Sequence, residues 1–348
     1  MKNQEKYNIA VVGATGNVGR EVLTILEERK FPVNNVFALA SKVSVGKKVS
    51  MSLKKQVEVH ALEDFDFVKN EVDIAFFCAG SDVSKNYAEK IAQTGCIVID
   101  KSSLFRMDKD VPLVVPEINS NELKHLPKNI IATPNCTTIP LVLCLKLLDE
   151  KYKIKRVVVT TFQSVSGTGK KAMDELYSQT KGYYEAEIEH IEHNHLHGDV
   201  YPKQIAFNCI PQCDNFSHDG FTKEEDKMIN ETEKILGKKI NMSVTCVRVP
   251  VFRCHAESVN VEFENNFDIN ELVEYLSDRE EIVVQDRWQD GGYAVQTEVV
   301  GTDNPFVSRI RRDFSVISGI NFWLVCDNLR KGSALNGVQI AEELIKNI

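Results

Sequence analysis

The stretch Gly13-Ala14-Thr15-Gly16-Asn17-Val18-Gly19 constrains this chain more than any other. It directly follows a short apolar run, Tyr7 to Val12, and opens an amphipathic segment reaching about Arg29. An apolar run, a glycine turn and a helical period in that order predict a strand, a tight turn and a helix. Such a turn lets the backbone approach a pyrophosphate, which then sits on the helix amino terminus. The spacing Gly-x-x-Gly-x-x-Gly is one residue wider at its first gap than the common dinucleotide fingerprint. Glycines also turn for packing reasons alone, but their place after the first strand favours a nucleotide.

The second strand, Val36 to Ala40, would carry a carboxylate near its end if the fold were built for a free ribose 2′-hydroxyl. Instead come Ser41-Lys42-Val43-Ser44-Val45-Gly46-Lys47-Lys48, hydroxyls and lysines that suit a 2′-phosphate and predict NADP. The alternative is an ordinary basic loop. Runs at Val72 to Phe77 and Cys96 to Ile99, with a helical pattern from about Asp82 to Thr94 between them, continue a doubly wound parallel sheet. The loop after them, Asp100 to Arg106, suits an anion or a simple capped turn. At 348 residues the chain exceeds what one core usually serves, so two domains are expected.

The net charge of −8, without long runs of one sign, argues against nucleic acid or an anionic membrane as partner. Nine scattered cysteines in mostly apolar runs suit reduced thiols and a cytoplasmic protein. The polar start, Met-Lys-Asn-Gln-Glu-Lys, leaves no room for a signal peptide, and no apolar run has membrane-spanning length.

Cys136 lies between an apolar run, Asn129 to Thr133, and a helical pattern from Thr137 to Glu150. A cysteine at a strand's carboxyl end and a helix's amino end meets unpaired N–H groups and a dipole that favour its thiolate. A small buried apolar residue is the plainer alternative. After the next strand, Arg156 to Phe162, Gln163 to Lys170 form a glycine-marked loop. Tyr177 and Lys181, with Ser164 upstream, have the spacing of a short-chain reductase triad, a pattern that also arises by chance. His190, His193, His195 and His197 crowd one polar segment. No cysteine pair or ordered carboxylates complete a metal site, and no metal is expected.

Thr222 and Glu225 have capping-box spacing, which leaves Glu224 and Lys227 on another helix face, as a ligand pair or a surface ion pair. The strand pattern Met242 to Pro250 carries Arg248, able to clamp a carboxylate, and His255 follows before the pattern Ser258 to Phe263. Helical patterns at Asp268 to Leu276 and Ser333 to Ile348, and strand-like runs at Glu281 to Val284 and Asn321 to Cys326, complete the chain. A cysteine nucleophile, a histidine, a nicotinamide fold and anion-binding groups together point to aldehyde oxidation through a thioester.

These pieces resemble the aspartate-β-semialdehyde dehydrogenase family over essentially the whole chain. The motifs are Gly-Ala-Thr-Gly-Asn-Val-Gly (13 to 19), Val-Pro-Leu-Val-Val-Pro-Glu-Ile-Asn (111 to 119), Pro-Asn-Cys-Thr-Thr (134 to 138) and Phe-Gln-Ser-Val-Ser-Gly-Thr-Gly (162 to 169). Cys-Val-Arg-Val-Pro-Val (246 to 251) and Asp-Asn-Leu-Arg-Lys-Gly (327 to 332) complete the set, which looks closest to the branch of Gram-positive and related bacteria.

The resemblance implies an α/β fold: a Rossmann-type doubly wound parallel sheet, 1–134 with 328–348, and an α+β catalytic and dimerisation domain, 135–327. It implies reversible, NADP-linked, phosphate-dependent interconversion of aspartate semialdehyde and aspartyl-4-phosphate, toward lysine, diaminopimelate, threonine and methionine. A homodimer or dimer of dimers is expected. By the family pattern Cys136 is the nucleophile, His255 the acid/base and Gln163 the group orienting the acyl intermediate. Arg248 would hold the substrate carboxylate and Glu224 its amine, with phosphate at Arg106, Asn135, Lys227 and Ser103. Cofactor contacts would come from Gly13, Thr15, Gly16, Asn17, Val18, Ser41, Lys42, Ser44, Ser166, Gly167, Gly169 and Asn328. Lys101 stands where the family usually has asparagine, and Thr168 where alanine is common. The rival readings are an N-acetyl-glutamyl-phosphate reductase and a nucleotide-binding sensor without turnover.

Overall fold

The computed structural model describes residues 5–53, 55–185 and 198–346. The chain divides into two compact units, Met1–Ile139 with Glu233–Lys238 and Leu329–Ile348, and Pro140–Thr232 with Lys239–Asn328.

The first unit is built on seven strands: β1 (Tyr7–Val12), β2 (Val33–Ala40), β3 (Lys48–Ser50), β4 (Gln56–Ala61), β5 (Ile74–Phe77), β6 (Ile97–Asp100) and β7 (Ile130–Ala132). Their order is β3-β4-β2-β1-β5-β6-β7, parallel except for β3 against β4. The central strands are nearly continuous apolar runs because helices cover them, the mark of a parallel sheet. The helix Asn17–Glu28 buries Val22, Leu23, Ile25 and Leu26 in this core, and the helix Leu335–Lys346 adds Leu335, Val338, Ile340, Ala341 and Leu344. The last turn of chain before that second helix is a π-turn, Arg330–Ala334, so regular helix begins two residues after Ser333. From β1 the chain runs to β2 on one side and later to β5 on the other. The crevice at their carboxyl ends is therefore the switch point where such sheets bind ligands.

The second unit holds β8 (Ile154–Gln163), β9 (Asn241–Arg248), β10 (His255–Phe263), β11 (Val283–Val284), β12 (Phe306–Arg312) and β13 (Gly319–Cys326). Their order is β11-β12-β13-β10-β8-β9. β8 and β9 are parallel, as are β11 and β12, and the remaining pairs are antiparallel, which makes a mixed sheet. Gln163 of β8 stands opposite Arg248 of β9, and His255 of β10 opposite Cys326 of β13. One end of this sheet thus gathers the ends of β8, β9 and β13 and the start of β10. Among the described residues no helix is long and apolar enough to cross a membrane.

Candidate active site

In the second unit the site begins with His255, buried at the first position of β10. Ser164, the residue after β8, donates its backbone N–H to His255 Nδ1 at 2.9 Å, and its hydroxyl lies 3.2 Å from the same nitrogen. Because Nδ1 accepts, the neutral ring carries its proton on Nε2. That buried nitrogen has no hydrogen-bond partner among the described residues. Burial first, then the Arg248 guanidinium, bring His255 down to about 3, so the ring is neutral at ordinary pH. Gly167 leaves room beside it: a Cβ there would stand 3.1 Å from His255 Nε2 and 3.2 Å from Arg248 Nη1.

Gln163 donates from Nε2 to Glu224 Oε1 at 2.9 Å, and Lys227 Nζ donates to the other Glu224 oxygen at 3.0 Å and to Asp214 at 2.7 Å. Burial alone would raise Glu224. Lys227, the Gln163 amide and Arg248 override it and hold this carboxylate ionised, at about 2. The neighbouring Glu225 caps its own helix, Lys223–Leu236. It accepts the Thr222 N–H at 2.7 Å, while Thr222 Oγ1 takes the Glu225 N–H at 3.4 Å. Glu225 thus takes the capping task its spacing predicts. Arg248 Nη1 donates to the Ser164 carbonyl at 2.7 Å, and its guanidinium lies 5.9 Å from the Tyr201 ring, whose hydroxyl donates to Thr168 Oγ1 at 2.9 Å. Asn328 accepts the Cys254 N–H at 2.9 Å and donates to the Ser166 hydroxyl at 3.0 Å, tying the loop after β8 to the end of β13. An ionised carboxylate, a guanidinium and an imidazole N–H in one buried cluster can recognise an α-amino acid and stabilise a developing oxyanion.

In the first unit Cys136 follows β7 and precedes the helix Thr138–Tyr152, half-buried in the turn between them. Asn135 builds that turn: its Oδ1 accepts the Thr137 N–H at 2.9 Å and the Thr137 hydroxyl at 2.7 Å. Gly332 packs on Cys136, since a Cβ there would lie 3.0 Å from the Cys136 carbonyl oxygen and 3.2 Å from its Cβ. Burial raises the thiols of Cys96, Cys144, Cys213, Cys246 and Cys254, which marks them as packing residues. Arg106 is buried, with Nε donating to the Thr133 carbonyl at 2.9 Å and Nη2 to the Lys101 carbonyl at 3.0 Å. Lys101 itself turns to the carboxyl-terminal segment. Its Nζ donates to the Ser333 carbonyl at 2.6 Å, and burial brings it down to about 8. Ser103 is exposed, with its hydroxyl 3.2 Å from that of Ser81.

The glycine loop fits a dinucleotide on geometric grounds. Gly13 has φ +82°, and a Cβ on it would meet the Cys78 carbonyl group at 2.8 Å. The helix Asn17–Glu28 has Gly16 as its N-cap, with no side-chain cap bond and no acid in its first turn, an end suited to an anion. Thr15, Asn17 and Val18 are half-buried around that turn. After β2, Ser41, Lys42 and Ser44 form a short 3-10 turn whose Lys42 ammonium lies 2.9 Å from Glu63 and 3.7 Å from Asp64.

Several expectations fall elsewhere. Tyr177 is 62% exposed on the helix Lys170–Glu185 and Lys181 pairs with Glu185 one turn on at 3.5 Å, whereas Ser164 is buried against His255, so the three do not share the environment a reductase triad needs. His190, His193, His195 and His197 lie outside the described residues. Sequence reasoning gave no part to Asp214 or Tyr201, which meet Lys227 and Thr168 from other stretches of chain, and quoted Gly332 only as the end of its motif.

Comparison with known proteins gives two successive family matches, "Semialdehyde dehydrogenase, NAD binding domain" over residues 8–126 and "Semialdehyde dehydrogenase, dimerisation domain" over residues 145–331. The chain is 54% identical over 344 residues to the aspartate-semialdehyde dehydrogenase of Rickettsia typhi, covering 99% of each. To that of Rickettsia bellii it is 52% identical over 343 residues, covering 98% of each. Among solved structures, aspartate semialdehyde dehydrogenase II of Vibrio cholerae, complexed with ASA, matches with a TM-score of 0.92 at 42% identity, covering 99% of both chains.

Proposed function

The chain belongs to the aspartate-semialdehyde dehydrogenase family, oxidoreductases of amino-acid biosynthesis, and from that premise we propose how its residues divide the reaction. The substrates are aspartate semialdehyde and inorganic phosphate, the product is aspartyl-4-phosphate, and the reaction is reversible. The Cys136 sulfur adds to the carbonyl to give a hemithioacetal. NADP, when bound, supplies the hydride acceptor that turns this adduct into a thioester. Phosphate then displaces the thiolate. Arg248 and Glu224 hold the substrate's carboxylate and ammonium, and Gln163 orients the acyl group. His255 works through Nε2, the nitrogen that holds its proton, donating to the oxygen as charge builds there. Arg106, Asn135, Lys227 and Ser103 are assigned to phosphate.

The glycine loop, Ser41, Lys42, Ser44, the Ser166 to Gly169 loop and Asn328 are assigned to NADP. The uncapped helix at Gly16 supports the first of these, and the acid-free end of β2 supports the choice of NADP. In this reading 1–134 with 328–348 serve the cofactor and 135–327 the catalysis. The enzyme is a homodimer or dimer of dimers of the cytoplasm, without nucleic-acid or membrane partners. Nine cysteines outside any disulfide and the match to a dimerisation domain support this.

One observation carries the substrate assignment: Glu224 is held ionised beside Arg248 and Gln163. A substrate acylated on nitrogen would offer this carboxylate no ammonium, which disfavours the N-acetyl-glutamyl-phosphate reading. The test follows NADP reduction with aspartate semialdehyde, with and without phosphate, in wild type and Cys136→Ala. Turnover that needs both phosphate and the thiol is expected. Phosphate-independent turnover, or an unimpaired variant, overturns the assignment.

A further inference from the structure

Lys234 lies near the carboxyl end of the helix Lys223–Leu236, in the segment Glu233–Lys238 that belongs to the first unit. Its ammonium donates to three main-chain carbonyls of one short loop, those of Arg106 at 2.8 Å, Asp108 at 2.7 Å and Val111 at 2.8 Å. An ammonium has three N–H donors, and here each meets a carbonyl oxygen. A lysine kept for surface charge would extend its head into water. This one is drawn inward, and burial lowers its pKa against the pull of Asp108 and Glu122. The loop is pinned at a second point, where Lys128 Nζ meets the Asp108 carboxylate at 2.6 Å.

The gripped loop carries Arg106, whose two ends are thereby fixed separately. Its carbonyl is held by Lys234, and its guanidinium by the carbonyls of Thr133 and Lys101 at the carboxyl ends of β7 and β6. Freeing the carbonyl end would let the loop sample other conformations, and ordering it again would cost affinity for whatever the guanidinium binds. We infer that Lys234 is a positioning residue for Arg106, holding the loop so that the guanidinium meets inorganic phosphate preorganised. The inference rests on the reading of Arg106 as a phosphate ligand.

The test uses the full-length enzyme with phosphate varied at saturating semialdehyde and NADP, in Lys234→Met, Lys234→Gln, Arg106→Ala and the double variant Arg106→Ala/Lys234→Met. The phosphate KM is expected to rise roughly tenfold in Lys234→Met and less in Lys234→Gln, whose amide keeps two donors. The KM values for semialdehyde and NADP should stay within about twofold of wild type, a split that general loosening of the fold would not produce. In the Arg106→Ala background Lys234→Met should add less than about twofold, because both changes act through one group. A phosphate KM near wild type in both single Lys234 variants, or full additivity in the double variant, overturns the inference. Should Lys234→Met fail to fold, Lys234→Gln decides. An Arg106→Ala enzyme with an unchanged phosphate KM sinks the phosphate reading itself, and the inference with it.

Discussion

The backbone N–H of Ser164 meets Nδ1 of His255 at 2.9 Å, and this bond decides which proton the imidazole can offer. With Nδ1 engaged as acceptor, the neutral ring presents Nε2–H, and burial beside Arg248 keeps the ring from charging. In the proposed reaction His255 then acts as a neutral donor. Glutamine, which also offers an N–H, should replace it better than alanine, with kcat of His255→Gln about tenfold above that of His255→Ala. Equal kcat values would instead favour a base that must take a proton.

The same depressed pKa makes stability depend on pH. The folded value, about 3, lies below the ordinary histidine value of about 6.5, so protonation favours the unfolded chain. Stability from the neutral ring is complete above about pH 6.5 and is lost as pH falls toward 3. His255→Gln should flatten the fall in melting temperature between about pH 7 and pH 5, measured by calorimetry. A fall parallel to wild type would show that His255 contributes nothing to it.

Gly167 sets the clearance over His255 and Arg248. A Cβ at this position would come within 3.1 Å of His255 Nε2 and 3.2 Å of Arg248 Nη1, so Gly167→Ala must displace one of them by a few tenths of an ångström. Its backbone is not in the left-handed region, so alanine brings no strain of its own. A loss of roughly tenfold or more in kcat/KM is expected, with the melting temperature within about 2 °C of wild type. Unchanged kcat/KM would mean that the loop moves aside without consequence.

The strand, glycine turn and helix from Tyr7 to Glu28, the turn at Cys136 and the Thr222–Glu225 box are each written in contiguous residues, and each is found in place. His255 was expected before a strand and instead opens one, because Cys254 takes φ +72° without the glycine that usually announces such a turn. β12, Phe-Val-Ser-Arg-Ile-Arg-Arg, passed unrecognised because its charged residues and the positive φ of Arg309 interrupt the alternation. β4, Gln-Val-Glu-Val-His-Ala near the edge of the sheet, keeps the alternation of a half-buried strand and is legible in the sequence, though no reading was drawn from it. The grip of Lys234 on the Arg106 loop joins positions 128 residues apart, and no window of sequence contains it.

Gly332 confines Cys136, the proposed nucleophile, in the same steric way. An alanine there would press on the Cys136 carbonyl oxygen and Cβ, backbone and near-backbone atoms that yield less readily than the tip of a flexible side chain. Gly332→Ala should lower kcat by roughly threefold to tenfold and slow alkylation of Cys136 by iodoacetamide, read by peptide mass spectrometry. Wild-type alkylation together with wild-type kcat would show that the turn absorbs the methyl group.

Glu257 has a different consequence, in stability. It lies two residues past His255 on β10, opposite Thr161 of β8 and Leu324 of β13, and it is 1% exposed. Neither carboxyl oxygen has a hydrogen-bond partner among the described residues, and burial raises its pKa well above the ordinary value. The folded chain therefore holds Glu257 neutral, while the unfolded chain ionises it from about pH 4.3 upward. A raised folded pKa means the contribution to stability is complete below that value and is lost as pH climbs toward the folded pKa. Glutamine keeps the shape and cannot ionise. Glu257→Gln should leave melting nearly unchanged at about pH 4.5 and raise it by roughly 2–4 °C or more at about pH 8, since each kcal/mol moves a unit of this size by about that much. Differential scanning calorimetry across that range is the measurement, and a constant offset between variant and wild type at every pH would mean that Glu257 finds a way to ionise inside the fold.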